Sequence, residues 1–564
     1  MKRIFFIILL ALFLISLFSC QQGKEAENDD NDSPDNTEGE VLDKTDEDMF
    51  TDRDLSGEEK EEASKQIVLS NDEISTPGSG ILVNGTTVTI SEDGTYSISG
   101  ALSDGMIIVD APDSAKVQLV LDNVSIEGRE CAPIYIKGCN KAFITVKGEC
   151  IVKNGGTYTL IDENNIDGVI FSKQDLTING EGSLLIESSG ANGIVCKDDL
   201  VIATLSLDIS CNNHGIDVNN SIRIKDASIN VSSQNDGIHA EHSEDEALGY
   251  IYISGGSINI DAYGDGFDAS SSVQIISGDI NITTNQNTSG NSNKGIKAES
   301  TVQIEGGTIT ISSQDDSVHS NNCVNIFGGS IALTTGDDGI HADEALTIDD
   351  GDIVITKSYE GLEAHTVVIN GGKITLTSTD DGINAAGGND QSGFGGGFGG
   401  DNFQRPNRPG GMGGMGGMGS SSSDGSITIN GGELYIQASG DGIDANGTLL
   451  ITGGYTVVCG PTQGDTAVLD YDVSGTITGG TFIGTGSYMM AQTLTGEVQG
   501  VYSVSVGNQS ANTKITLTDQ NENVLFEYEP SLPYAIVILT SEQVVKGESY
   551  TITVGELSGT FEAQ

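Results

Sequence analysis

A short turn, Asp-Gly-Ile or a close variant, returns along this chain at a nearly constant interval. It stands at Asn192-Gly193-Ile194, His214-Gly215-Ile216, Asp236-Gly237-Ile238, Asp265-Gly266-Phe267, Lys294-Gly295-Ile296, Asp316-Ser317-Val318, Asp338-Gly339-Ile340, Glu360-Gly361-Leu362, Asp381-Gly382-Ile383 and Asp441-Gly442-Ile443. Most steps are 22 residues and one is 21, while steps of 29, 29 and 60 carry insertions. A period of that length marks a repeat architecture in which no unit buries its apolar face alone. A second marker keeps phase with the first: Gly255-Gly256, Gly306-Gly307, Gly328-Gly329, Gly371-Gly372, Gly431-Gly432 and Gly453-Gly454, each before an alternating run such as Ser257-Ile258-Asn259-Ile260.

One unit therefore holds three short strands, of which Val302-Gln303-Ile304 and Thr308-Ile309-Thr310-Ile311 are typical. Alternation sends Ile and Val inward and Thr, Ser, Asn and Asp outward. Glycine at the corners accommodates positive φ. Stacked units make an all-β solenoid, and the handedness of parallel crossovers predicts a right-handed parallel β-helix with a coil of about 22 residues. The composition agrees, with 76 Gly, 9 Pro and no Trp. The body is expected over 67–485, with recognisable coils from about Ile81. Beyond Gly486 the period fades into runs such as Tyr550-Thr551-Ile552-Thr553-Val554, so 486–564 is expected to be an antiparallel β cap over the open sheet end.

Ahead of the body lies a basic start, Lys2-Arg3, an apolar run from Ile4 to Leu17, and then Leu17-Phe18-Ser19-Cys20. This pattern reads as a bacterial lipoprotein signal over 1–19, with Cys20 as the lipidated residue. Localisation is then extracellular, on the cell surface, with the membrane reached only through that lipid. Residues 20–66 are rich in acids, Asn and Ser, the composition of a disordered, self-repelling linker. Seven further cysteines, 131, 139, 150, 196, 211, 323 and 459, form no CxxC pair and read as buried thiols. A net charge of -57, from 82 acids and 25 bases, disfavours nucleic acid and favours divalent cations. Three insertions, Glu241 to Leu248, Asn285 to Asn293 and the Gly/Met-rich Ala386 to Gly425, adjoin the Gly-Ile strand. Such insertions mark the face where solenoids tend to carry function.

Stacking at about 4.8 Å turns the residue before each turn glycine into a column. Asp236, Asp265, Asp316, Asp338, Asp381 and Asp441 lie in it, with Asp315, Asp337 and Asp380 one residue earlier. Two carboxylates at that spacing repel by about 3.5 kcal/mol at an effective dielectric of 20, so either their pKa values rise or cations lie between coils. Oxygen ligands suit calcium, and calcium is favoured over simple bonding of turn amides. A second column, two residues past the glycine, runs Asp217, His239, Asp268, Lys297, His319, His341, Glu363, Asn384, Asp444. Its His319-His341 neighbours lack a third strong zinc ligand. Lys294 and Lys297 interrupt the acids. They read first as internal counter-ions and second as general bases for β-elimination on a uronate.

The chain resembles a family of bacterial cell-surface carbohydrate-binding β-helix proteins similar in fold to pectate lyases. The resemblance covers about Ile81 to Gly486 and rests on Gly94-Thr95-Tyr96-Ser97-Ile98-Ser99-Gly100, Asp104-Gly105, Val120-Leu121-Asp122, the Asp-Asp-Gly-Ile turns at 337–340 and 380–383, and the Gly/Met-rich insert. It implies calcium held in the helix and binding of cellulose and acidic plant polysaccharides such as polygalacturonate. The leading expectation is a non-catalytic polysaccharide-binding protein, monomeric, with calcium at the Asp columns, including Asp268 and Asp444. The alternatives are a calcium-dependent lyase using Lys297 or Lys294, and a structural adhesin.

Overall fold

A computed structural model describes residues 41–564 apart from 58–63, 72, 77, 157, 162–164, 286–291, 387–423, 463 and 465. The chain divides into two units, Met1–Thr37 and Glu38–Gln564. The signal expected at 1–19, Cys20, and the insert apart from its ends lie outside the described residues. Among those described, no helix is long and apolar enough to cross a membrane.

The second unit is all-β, and its strands stack in parallel, each on its counterpart one coil away. On the first face the register runs Ile194↔Ile216, Ile216↔Ile238, Ile238↔Phe267, Phe267↔Ile296, Ile296↔Val318, Val318↔Ile340, Ile340↔Leu362, Leu362↔Ile383 and Ile383↔Ile443. Every one of these residues is fully buried. The second and third faces repeat the arrangement, as in Val302↔Val324 and Ile309↔Ile331. One apolar core consequently runs from Ile67 to Ile538. Each enclosed Ile or Val adds about 1.5–3 kcal/mol of transfer free energy, and the 22-residue period places one at the same point of every coil.

The two glycine markers serve different purposes. In the Gly-Gly turns the second glycine is left-handed, with φ 93° at Gly256, 97° at Gly307 and 104° at Gly329. Corner glycines of the Asp-Gly-Ile turn are not in that region, contrary to the sequence expectation. They are small because of close approach: a Cβ on Gly339 would lie 2.5 Å from the Gly361 carbonyl oxygen and 2.7 Å from Ile355 Cδ1.

At the C-terminal end Tyr534–Val545 pairs antiparallel with Thr481–Gly486 and with Gln499–Gln509. A separate four-stranded antiparallel sheet follows, built from Ile515–Thr518, Val524–Tyr528, Ser549–Val554 and Leu557–Glu562. Parallel stacking begins at Lys65–Leu69, which pairs with Gly94–Leu102. All seven downstream cysteines are free thiols, and burial pushes Cys211 up to about 11 and Cys139 up to about 12.

The expected linker over 20–66 is corrected in part. Residues 41–57 fold onto the second face, with short helices Asp46–Met49 and Asp52–Ser56. Met49 and Phe50 are buried there against Val201, Tyr250 and Tyr252. Two apolar side chains in an acidic stretch thus find a partner surface that composition alone does not reveal.

Candidate functional site

Parallel register brings the acids together as expected. The second column is continuous, pairing Asp217↔His239, His239↔Asp268, Asp268↔Lys297, Lys297↔His319, His319↔His341, His341↔Glu363, Glu363↔Asn384 and Asn384↔Asp444. In the first column one carboxylate oxygen is committed to the backbone. Asp236 Oδ1 accepts the Asp265 N–H at 2.8 Å, Asp265 Oδ1 that of Lys294 at 2.7 Å, Asp316 Oδ1 that of Asp338 at 3.1 Å, and Asp338 Oδ1 that of Glu360 at 3.0 Å. Amide bonding therefore holds for these acids, and it leaves their second oxygens for a cation.

From Asp236 to Asp316 those second oxygens meet lysine and histidine nitrogens of the chain itself. Asp236 Oδ2 is 2.9 Å from His214, and Lys294 Nζ is 2.7 Å from Asp316 and 3.0 Å from Asp315. Lys297 lies 3.3 Å from Asp268 and 3.9 Å from Asp265, and Asp316 Oδ2 also meets His319 Nδ1 at 2.9 Å. Burial alone would lower Lys294, but the charges of Asp316 and Asp315 outweigh it and hold it well above its ordinary value. Burial works against Lys297 in the same way, and the charges of Asp268 and Asp265 raise it. Both stay protonated at neutral pH, whereas a general base must be free of its proton.

The same balance acts on His239. Burial disfavours its imidazolium, but the hydrogen bond to Asp217 and the charges of Asp268 and Asp236 prevail, lifting it to about 9. Because this folded value lies above the ordinary 6.5, its stabilisation is complete below the ordinary pKa and is lost as pH rises through about 9. Thermal unfolding scanned from about pH 6 to about pH 10 should show a falling Tm. His239→Gln should flatten that slope.

From Asp338 onward the compensation is partial: burial would raise Glu363, but the hydrogen bond and charge of His341 outweigh it and hold it below its ordinary value. Among the described residues no lysine or arginine pairs with Asp338, Glu360, Glu363 or Asp381. His341 serves two of them, at 3.3 Å from Asp338 and 3.0 Å from Glu363. Burial and the charges of Glu363 and Asp338 push Glu360 up to about 11, while burial and the charges of Asp441 and Asp380 push Asp381 up to about 8. Asp338 is also held well above the ordinary carboxylate range, by burial and by Asp316 and Glu363. The buried oxygens Glu363 Oε1 and Asn384 Oδ1 have no hydrogen-bond partner among the described atoms. Asp338, His341 and Glu363 each bring a ligand atom within 4.8 Å of the others. Orphaned carboxylate and amide oxygens with unbalanced negative charge are the donor set of a hard divalent cation.

Glu360, Glu363 and Asn384 therefore belong with the candidate ligands, although the Asp columns alone drew attention in the sequence. Their signal was present, since Glu360 occupies the position before the turn glycine and Glu363 and Asn384 stand in the second column. Asp315, Asp316 and Asp337 also converge within 4.8 Å, but Lys294 sits among them. Asp175, Asp198 and Asp199 form a further acidic group on the second face that no period announced.

The family described as carbohydrate-binding domain-containing protein matches residues 84–339 and 323–398, which together span more than half of the chain. A curated relative, a carbohydrate-binding domain-containing protein of Acetivibrio thermocellus, is 33% identical over 152 residues, 26% of this chain and 53% of the relative. The chain thus spans about half the length of that relative. A solved structure, that of the polysaccharide lyase-like protein from C. thermocellum as a gadolinium derivative, is similar with a TM-score of 0.37 and 29% identity, over 47% of this chain and 97% of that chain.

Proposed function

Because the chain belongs to the carbohydrate-binding domain-containing protein family, we propose that its coiled body binds acidic plant-type polysaccharide through calcium held at the C-terminal part of the acidic ladder. The family match over residues 84–398 supports the carbohydrate. The observation that carries the calcium is the pair of orphaned oxygens, Glu363 Oε1 and Asn384 Oδ1, beside Asp338, Glu360 and Glu363, which pair with no lysine or arginine among the described residues. Asp338, Glu360, Glu363 and Asn384 would hold the ion, with Asp381, Asp441 and Asp444 continuing the ladder. When bound, calcium supplies positive charge that a uronate carboxylate can share. The chain's own groups orient the ligands through the amide ladder and keep the apolar core dry beneath them.

In this reading the parallel stack is a right-handed β-helix, as the crossover rule requires, and Cys20 carries a lipid that keeps the body at the cell surface. Incorporation of labelled fatty acid, abolished by Cys20→Ala, would support the anchor, and labelling that survives the substitution would refute it. Lyase chemistry has no support in the arrangement of Lys294 and Lys297, so polygalacturonate should yield no unsaturated, ultraviolet-absorbing product. Affinity electrophoresis against polygalacturonate and a soluble cellulose derivative tests the function. Retardation on at least one gel is expected, and free migration on both would overturn the reading.

A further inference from the structure

Residues 42–54 lie along one stripe of the second face and make no strand pairing with it; the stripe reads them through side chains. Its register is Phe143↔Thr177, Thr177↔Val201, Val201↔Arg223, Arg223↔Tyr252, Tyr252↔Gln274 and Gln274↔Gln303, one position per coil. Gln303 donates to the Leu42 carbonyl at 2.8 Å and accepts its N–H at 2.7 Å. Gln274 donates to the Lys44 carbonyl at 3.2 Å, Arg223 to that of Met49 at 3.2 Å, and Asn179 to that of Asp54 at 2.9 Å. A row of amide and guanidinium donors thus addresses a linear series of acceptors.

Two carboxylates of the segment sit in prepared places. Asp46 accepts from Tyr252 Oη at 2.9 Å and pairs with Lys225. Asp54 pairs with Lys141 at 2.7 Å and accepts from Thr177 at 2.5 Å. Between them the Phe50 ring lies 5.9 Å from Tyr252. Residues 41–57 carry six acids and two bases. In a chain with 25 bases against 82 acids, Lys141, Arg223 and Lys225 gather under this one segment.

We propose that the stripe from Lys141 to Gln303 is a second glycan site, for a uronic-acid-containing polysaccharide, and that residues 42–54 occupy it as an intramolecular mimic. The proposal rests on the polysaccharide-binding reading above. A coil rise of about 4.8 Å is close to the length of one pyranose residue along an extended glycan, so each coil can address one sugar. Tyr252 offers an aromatic surface for a sugar ring, Lys141, Arg223 and Lys225 meet uronate carboxylates, and Gln274 and Gln303 meet hydroxyls. Asp46 and Asp54 stand where uronate carboxylates would lie.

The test uses the full chain, polygalacturonate oligomers, and a chelator that removes any contribution from calcium. Asp46→Asn, Phe50→Ala and Asp54→Asn combined should tighten binding at least about tenfold relative to the unsubstituted chain, about 1.4 kcal/mol. Adding Arg223→Ala and Tyr252→Ala should abolish the gain. In the unsubstituted chain, saturating oligomer should speed amide hydrogen exchange across residues 41–57, because the segment is displaced. Unchanged affinity in the triple variant, or unchanged exchange at 41–57 under saturation, would overturn the second site. If the same oligomers bind once calcium replaces the chelator, the primary reading stands without it. Absence of binding by every form, with and without calcium, overturns both.

Discussion

Lys294→Met should destabilise the protein by about 3–5 kcal/mol, the cost of removing one partner from a buried ion pair. Lys294 is 7% exposed and its ammonium is shared between Asp315 at 3.0 Å and Asp316 at 2.7 Å. Methionine fills similar space but leaves two carboxylates to each other and to Asp337. Thermal or denaturant unfolding measures the loss. Addition of Asp316→Asn should recover part of it by lowering the charge. Calcium should recover part as well, since Asp315, Asp316 and Asp337 already place ligand atoms within 4.8 Å of one another. A loss below about 1 kcal/mol, the scale of an exposed pair, would mean that Lys294 does not act as the internal counter-ion.

Calcium at a hundredfold excess over its dissociation constant should stabilise the unsubstituted chain by about 2.7 kcal/mol. Glu360→Gln with Glu363→Gln should cut that affinity at least about tenfold, because calcium affinity follows ligand charge. The sign without calcium is opposite. Burial and neighbouring acids push Glu360 up to about 11 from its ordinary 4.5, so its stabilising contribution is complete below the ordinary value and is lost as pH rises toward about 11. A neutral amide at that position escapes the loss. In chelator near neutral pH Glu360→Gln alone should therefore be at least as stable as the parent, and in calcium less stable. Calorimetry in the two buffers measures both, and a variant with the parent's calcium response would remove these residues from the site.

The fold was legible because a parallel stack converts period into register. Once 22 residues separate Ile216 from Ile238, every outward residue between them is aligned as well, and the column from Asp217 to Asp444 follows. Which acids need a cation was not legible. Asp316 and Asp381 occupy the same position, but the neighbours differ. Burial would raise both; Lys294 and His319 overcome it and hold Asp316 well below the ordinary range, while burial among Asp441 and Asp380 pushes Asp381 up to about 8. That difference lies in distances between coils, not in residue type. The segment at 41–57 escaped for another reason. Its acids outnumber Met49, Phe50 and Leu55, so composition reads as linker. Its local signals were two Thr-x-x-Asp capping pairs: Thr45 with Asp48, whose carboxylate accepts the Thr45 N–H at 3.3 Å, and Thr51 with Asp54, in which the Asp54 carboxylate accepts the Thr51 N–H at 3.0 Å and the Thr51 hydroxyl accepts the Asp54 N–H at 3.3 Å.

Calcium at the C-terminal part of the ladder is proposed to join the protein to an acidic polysaccharide. Titration calorimetry of the full chain with polygalacturonate, first with calcium and then after chelation, tests it most directly. Saturable binding is expected in calcium, weakened by chelation at least about tenfold, about 1.4 kcal/mol, and weakened similarly by Asp381→Asn with Asp441→Asn. Equal affinity in both buffers, or no binding in calcium, would contradict it.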